Sequence, residues 1–408
     1  MAANPNPERK PKGKPQKGNT LSFDDTNIAF AGTNDRELRN ASWLFRMMNY
    51  SAVVDLGTQF TKLAFQIGLP VKSLVKQTIY KHFCGGESLE ETVPTIAHLA
   101  EHKVTTILDY GVEAKQSEKE FEKALGEQVN AIRFADSNAN VPYISCKVTG
   151  YATFELLEKL HKNEALNKTE EAELIRLKNR LNTICKEASE LDVAVYIDAE
   201  ESWIQDGIDT LVEGLMKTFN KSKPTVFNTV QLYRHDRLIF LKEAYKKAEK
   251  DNYYLGLKLV RGAYMEKERE RAKWQGYPSP IHPDKAATDK DYDLAVMFCL
   301  DHLDRIACCI ATHNEESCML GAQKAKENNI AFDNAHLHFA QLYGMSDHIS
   351  FNLAQGGYNA SKYVPYGPVR DVIPYLIRRA EENSSVAGQM SRELTLIQEE
   401  IKRRRASK

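Results

Sequence analysis

No stretch of about 18 apolar residues occurs in the 408-residue chain, and its mean hydropathy is −0.49, so the sequence offers no membrane-spanning helix. Any membrane contact is therefore peripheral. Neither GxGxxG nor GxxxxGK[ST] is present, which removes the dinucleotide fingerprint and the phosphate loop, so a nucleotide cofactor must be held by other means. There is no CxxC pair and no HExxH. The seven cysteines (Cys84, Cys146, Cys185, Cys299, Cys308, Cys309, Cys318) are irregularly spaced and set mostly among apolar neighbours. They read as free buried thiols in a reducing compartment, and no metal is assigned. His336 and His338 would share one strand face and could ligate a metal together, but such pairs are more often buried or hydrogen-bonded. Three tryptophans are too few for the aromatic platforms of a saccharide groove. Nor does one charge dominate: 55 Lys and Arg against 56 Asp and Glu leave a net charge of −1, too little for a field that holds nucleic acid or an anionic bilayer.

What is present is ordinary globular composition, 42% hydrophobic and 27% charged. The length allows two or three small domains, or one large α/β barrel with extensions. Residues 1–20 hold four of the 14 prolines and five cations against Glu8, with no aromatic or branched aliphatic residue, and read as a disordered basic tail. The tail lacks the apolar run of a secretory signal and the Arg-rich amphipathic pattern of a transit peptide. Residues 21–100 read as a helical arm, with Leu38, Ala41, Leu44 and Phe45, then Leu56, Phe60, Leu63 and Ile67, at three-to-four spacing. From about Val104 short β-rich runs alternate with amphipathic stretches: 105–108, 143–148, 193–197, 229–233, 255–260, 307–312, 337–341 and 363–364. Eight such units suit a (β/α)8 barrel over 101–408, a doubly wound sheet being the other arrangement. In a barrel, functional residues gather at the C-terminal strand ends. Asp109 with Glu113, Lys147, Asp198, Gln231, Lys258 with Arg261 and Tyr264, His313 with Asn314, and Tyr363 all follow that rule.

Several of these residues invite chemistry. In GPVRDVIPYLIRRAEEN, Gly367–Asn383, Asp371 is a plausible N-cap with Pro374 in the first turn. Tyr375, Arg378, Arg379 and Glu382 then share one helical sector, and two adjacent guanidiniums can grip one small anion. In LKLVRGAYM, Leu257–Met265, two cations flank a buried strand end before a Gly-Ala pair, a setting that suits a phosphate-bearing cofactor. Lys147, on an otherwise apolar strand, demands a counter-charge such as Asp198 or Glu113. The residues alone also admit a Schiff-base lyase acting through Lys147, or a catalytically silent scaffold barrel.

Five blocks, KYVPYGPVRDVIPYLIRRAEEN, LKLVRGAYM, IDAEES (Ile197–Ser202), ATHN (Ala311–Asn314) and HFCGGES (His82–Ser88), stand in an order that resembles the monofunctional proline dehydrogenases from about Leu21 to Arg405. The resemblance implies a distorted (β/α)8 TIM-like barrel, FAD at the strand C-termini, and a last helix lying over the barrel mouth. It implies oxidation of L-proline to 1-pyrroline-5-carboxylate, with electrons passed to a membrane quinone and a pyrroline-5-carboxylate dehydrogenase acting downstream. By motif match, Arg378 and Arg379 bind the substrate carboxylate, Glu382 pairs with them, Tyr264 and Tyr363 wall the ring, Leu342 packs on it, and Lys147 and Asp198 complete the pocket. Gln231, Lys258, Arg261, His313 and Asn314 match cofactor positions, with Glu113 near the pocket mouth. Relatives commonly carry Arg where Lys258 stands and Lys where Arg261 stands. The expected location is the bacterial cytoplasm, peripheral on the inner membrane, or the mitochondrial matrix side in a eukaryote. A smaller residue is expected at position 363 in relatives that prefer hydroxyproline, so Tyr363 implies a preference for L-proline.

Overall fold

The computed structural model describes residues 21–48, 50, 54, 56–59, 72–111, 115–385 and 387–407, with backbone alone at 74 and 381–391. The tail 1–20 and Glu113 lie outside the described residues. Eight parallel strands close into a barrel in sequence order: β1 (Thr105–Tyr110), β2 (Tyr143–Cys146), β3 (Ala194–Ile197), β4 (Val226–Gln231), β5 (Leu255–Val260), β6 (Ile306–Ala311), β7 (Leu337–Leu342) and β8 (Ala360–Tyr366). Closure is made by β8 against β1, with Ile107 opposite Tyr363 and Asp109 opposite Pro365, so no edge is left unpaired.

The longer helices described ahead of the barrel are α1 (Asp35–Met48) and α2 (Leu89–Glu101). Between the strands run α3 (Glu118–Asp136), α4 (Phe154–Lys162), α5 (Lys168–Glu190), α6 (Ser202–Phe219), α7 (Arg237–Lys250), α8 (Met265–Gln275), α9 (Lys285–Asp301), α10 (Glu315–Glu327) and α11 (Asp347–Gln355), and α12 (Val369–Ser385) and α13 (Ala387–Ala406) follow β8. Local chemistry sets many of their starts. Asn167 accepts from the Thr169 and Glu170 amides while Glu170 accepts from the Asn167 amide, a capping box that opens α5.

Two strands differ most from the sequence expectation. β4 begins at Val226, ahead of the expected 229, because the polar Asn228 within it is satisfied by tertiary partners, its side-chain amide donating to Asp209 at 2.9 Å. β8 runs from Ala360 to Tyr366, well beyond 363–364. Its Ser361 meets His338 at 2.6 Å, and Lys362, fully buried, donates to the Met345 carbonyl and pairs with Asp347 at 2.7 Å. α12 likewise starts at Val369, which puts Asp371 in the first turn and Pro374 inside the helix. The N-terminal end of α12 is met instead by Glu87, whose carboxylate accepts from the Val369 amide at 3.4 Å and pairs with Lys72 and Lys76.

Three apolar clusters organise the molecule. The largest lies between the strands and the surrounding helices, and takes in Ile96 and Leu99 of α2. A small one fills the barrel interior with Ile107, Tyr196, Phe227, Cys309, Ala340 and Tyr363. The third joins Leu38 and Phe45 of α1 and Val75, Tyr80 and Phe83 to Val369, Val372, Tyr375 and Leu376 of α12 and Leu396 and Ile397 of α13. The arm thus shares a core with the two helices that follow the barrel. All seven cysteines are buried and free.

Candidate active site

Side chains alternate along β2, so Tyr143, Ser145 and Lys147 project to one side, toward the barrel axis. Asp198 follows β3 directly, its amide donating to the Cys146 carbonyl at 2.9 Å. Four groups converge on its buried carboxylate: the Ser145 hydroxyl at 2.8 Å, the Tyr363 phenol at 2.8 Å, the Lys258 ammonium, and the Lys147 ammonium at 3.6 Å. Lys147 also lies 3.7 Å from Asp109. Burial pushes the Asp198 pKa up, but Lys258, then Lys147, and the hydrogen bonds from Lys258 and Tyr363 outweigh it and hold the carboxyl below its usual value. The Lys258 ammonium sits 5.2 Å from the Tyr363 ring centroid and 5.4 Å from that of Tyr196. An anionic centre ringed by two ammoniums and two hydroxyls is fixed in place at the barrel mouth.

The two cations of LKLVRGAYM have different surroundings. Lys258, a compact point charge, is enclosed in the interior. Arg261 spreads its fork over Asp289 at 2.7 Å, Thr312 at 2.6 Å and Ser317 at 3.0 Å, stacked 4.3 Å from the Tyr292 ring centroid. Gly262, at φ +140°, and Ala263 leave the backbone beyond β5 exposed.

Around this centre the remaining candidates divide. Gln231 donates to the Glu200 carbonyl at 2.9 Å, while its own Oε1 is buried with no hydrogen-bond partner among the described residues. His313 bonds Ser346 through Nδ1 at 2.9 Å. Burial, reinforced by the charges of Lys362 and Arg379, drives its pKa well below the usual imidazole range, so the ring is neutral at pH 7. Asn314 caps α10, accepting from the Ser317 amide at 2.9 Å. Leu342 ends β7 and packs against both the barrel interior and the arm cluster.

Helix α12 sets Arg378 5.9 Å from the ring centroid of Tyr264, which follows β5, and buries Arg379 with its charge felt at His313, which follows β6. The helix therefore lies across the strand C-termini. Glu382 is on the same helix, and its side chain lies outside the described residues. His336 and His338 bond separate partners, the Leu303 carbonyl at 2.8 Å and Ser361.

Three residues escaped the sequence reading. Ser145 was signalled only by its alternation with Lys147. Lys362 stood inside a recognised motif without a role. Glu200, within IDAEES, is bonded to the Thr149 amide and hydroxyl, and burial followed by the like charge of Glu201 raises its pKa to about 8 against those bonds.

The arrangement sets two guanidiniums near a buried cluster of a carboxylate, two ammoniums and two hydroxyls. Comparison with known proteins gives this chemistry a context. A family model described as proline dehydrogenase matches residues 92–392. Proline dehydrogenase 1, mitochondrial, of Dictyostelium discoideum is 31% identical over 96% of this chain and 77% of its own length. Hydroxyproline dehydrogenase of Xenopus laevis is 30% identical over 94% of this chain and 90% of its own. Among solved structures, proline utilization A of Bdellovibrio bacteriovorus inactivated by N-propargylglycine superposes with a TM-score of 0.70 at 23% identity, which shows a shared fold. The match covers 91% of this chain, which spans 40% of that longer protein. With a closed eight-stranded barrel, a helix bearing paired arginines over its mouth and a family match across most of its length, the chain belongs to the proline dehydrogenase family.

Proposed function

We propose that the chain oxidises L-proline to 1-pyrroline-5-carboxylate with FAD held at the C-terminal mouth of the barrel. The observation that carries this is the paired guanidiniums of Arg378 and Arg379 set across the mouth above the buried centre of Asp198, Lys258, Lys147 and Tyr363. The residues suit a flavin: Gln231 offers a buried acceptor without a donor, a place for a ring N–H, and Lys258 and Arg261 stand at the end of β5 just ahead of an exposed backbone turn. Gln231, Lys258, Arg261 and His313 would hold it. When bound, it supplies the acceptor for the hydride from C5 of proline.

The chain does the rest. Arg378 and Arg379 neutralise the substrate carboxylate through charge-assisted hydrogen bonds, each worth roughly 1.5 to 3 kcal/mol, and so fix the ring's orientation. The faces of Tyr264 and Tyr363 and the Leu342 side chain wall the ring and keep water out. Hydride departs only when nitrogen can donate its lone pair, and a pocket already crowded with cations favours the neutral amine. Lys258 and Lys147 would help stabilise negative charge developing nearby. Electrons leave to a membrane quinone through peripheral contact, and among the described residues no helix is long and apolar enough to cross a membrane. The relative's mitochondrial designation supports the matrix face in a eukaryote. A pyrroline-5-carboxylate dehydrogenase would consume the product.

The Tyr363 phenol is locked onto Asp198 and Ser145, which favours L-proline over its 4-hydroxylated form. The test is purified protein assayed with a dye acceptor and an aldehyde reagent that traps the cyclic imine. Proline should give dye reduction and trapped product together, 4-hydroxyproline should react more slowly, and Tyr363→Ser should narrow that gap. Dye reduction without trapped imine, or equal rates in the parent, would contradict the reading.

A further inference from the structure

On the opposite face of the barrel, the last turn of α2 carries His98 and Glu101 and is capped by His102, a spacing of i, i+3 and i+4 that brings three ligands together. One ligand atom from each lies within 4.8 Å of the other two. The two imidazoles meet edge to face at 5.4 Å, and His102 also rests on Phe351 of α11 at 5.3 Å. Among the described residues, no hydrogen bond or ion pair engages these three side chains. The Gly32 backbone closes the site from above. A Cβ there would fall 2.2 Å from His98 Cε1, 2.5 Å from His102 Nε2 and 2.8 Å from His98 Nε2, so both imidazole rings lie tight against the Gly32 backbone. The dipole at a helix C-terminus also favours a cation.

We infer that His98, Glu101 and His102 form a binding site for a divalent transition-metal ion, zinc being the expected occupant. Two imidazoles and a carboxylate match zinc in donor type, and Glu101 is exposed at the helix end. The ion would fasten the end of α2 ahead of β1, remote from the strand C-termini, so proline oxidation should not depend on it.

The experiment is a zinc titration of the chelator-stripped, flavin-loaded full chain against a chromophoric competitor, with cobalt absorbance as a second readout. The parent should bind one ion per chain. Because loss of a supporting partner alone costs about 10- to 100-fold in metal affinity, His98→Ala and His102→Ala should each weaken binding by roughly 100-fold or more. Gly32→Ala, which removes no ligand, should weaken it too, with flavin absorbance and proline turnover kept in every variant. Zinc binding unchanged in both histidine variants, or no site in the parent beyond those that remain in the double variant, would overturn the assignment.

Discussion

Asp198 shows how much one side chain can be asked to hold. Its carboxylate balances Lys258 and Lys147 in a buried space and orients the Tyr363 phenol. Asp198→Asn keeps the shape and removes the charge, leaving two ammoniums uncompensated. Breaking such a buried pair costs about 3 to 5 kcal/mol, so urea unfolding should show a loss of that order together with a large fall in kcat. A variant as stable and active as the parent would refute the assigned balance. Glu200 acts in the opposite sense. Its folded-state pKa, raised to about 8 from the ordinary 4.5, means the native protein keeps a proton that the unfolded chain releases. Between those values the native state binds more protons, so this group's contribution to stability declines as pH rises, by at most ~1.4 kcal/mol per pH unit. Glu200→Gln should flatten that decline in denaturant unfolding between pH 5 and 8. An unchanged slope would show that the carboxyl ionises normally.

Helix α12 carries the proposed carboxylate clamp, and its placement depends on its neighbours as well as on its own apolar face. Glu87 meets its N-terminus, Tyr80 donates to the Gly367 carbonyl at 2.8 Å just before it, and α1 covers its apolar face. The positions of Arg378 and Arg379 are therefore set by the arm as well as by the barrel. Arg379→Met should raise KM for proline about 10- to 100-fold with a smaller change in kcat, because the carboxylate is bound equally in ground and transition states. An unaltered KM would remove Arg379 from the clamp. The loop after β7 is held by a related device, the buried Lys362 reaching Met345 and Asp347 and so fixing the turn that follows Leu342.

At the scale of the whole molecule, the first and last described helical segments are tied together. Arg404 of α13 donates to the Phe30 and Thr33 carbonyls and pairs with Asp35, and Glu400 accepts from Thr26. The barrel itself was legible in the sequence, since β-rich runs recur with amphipathic stretches between them, and β5 was found to the residue. β4 and β8 were blurred where Asn228, Ser361 and Lys362 interrupt the apolar pattern, because the partners that satisfy them come from distant elements. The same holds for the site. Charged residues at strand ends announced Lys147, Asp198 and Lys258, whereas Ser145 and Glu200 gain their meaning only from neighbours across the barrel. The shared core of arm, α12 and α13 had no local signature at all. Anaerobic titration of the purified, flavin-loaded protein with L-proline tests the central claim most directly. Stoichiometric bleaching of the flavin absorbance is the predicted result, and a spectrum unchanged by saturating L-proline in well-folded protein would contradict it.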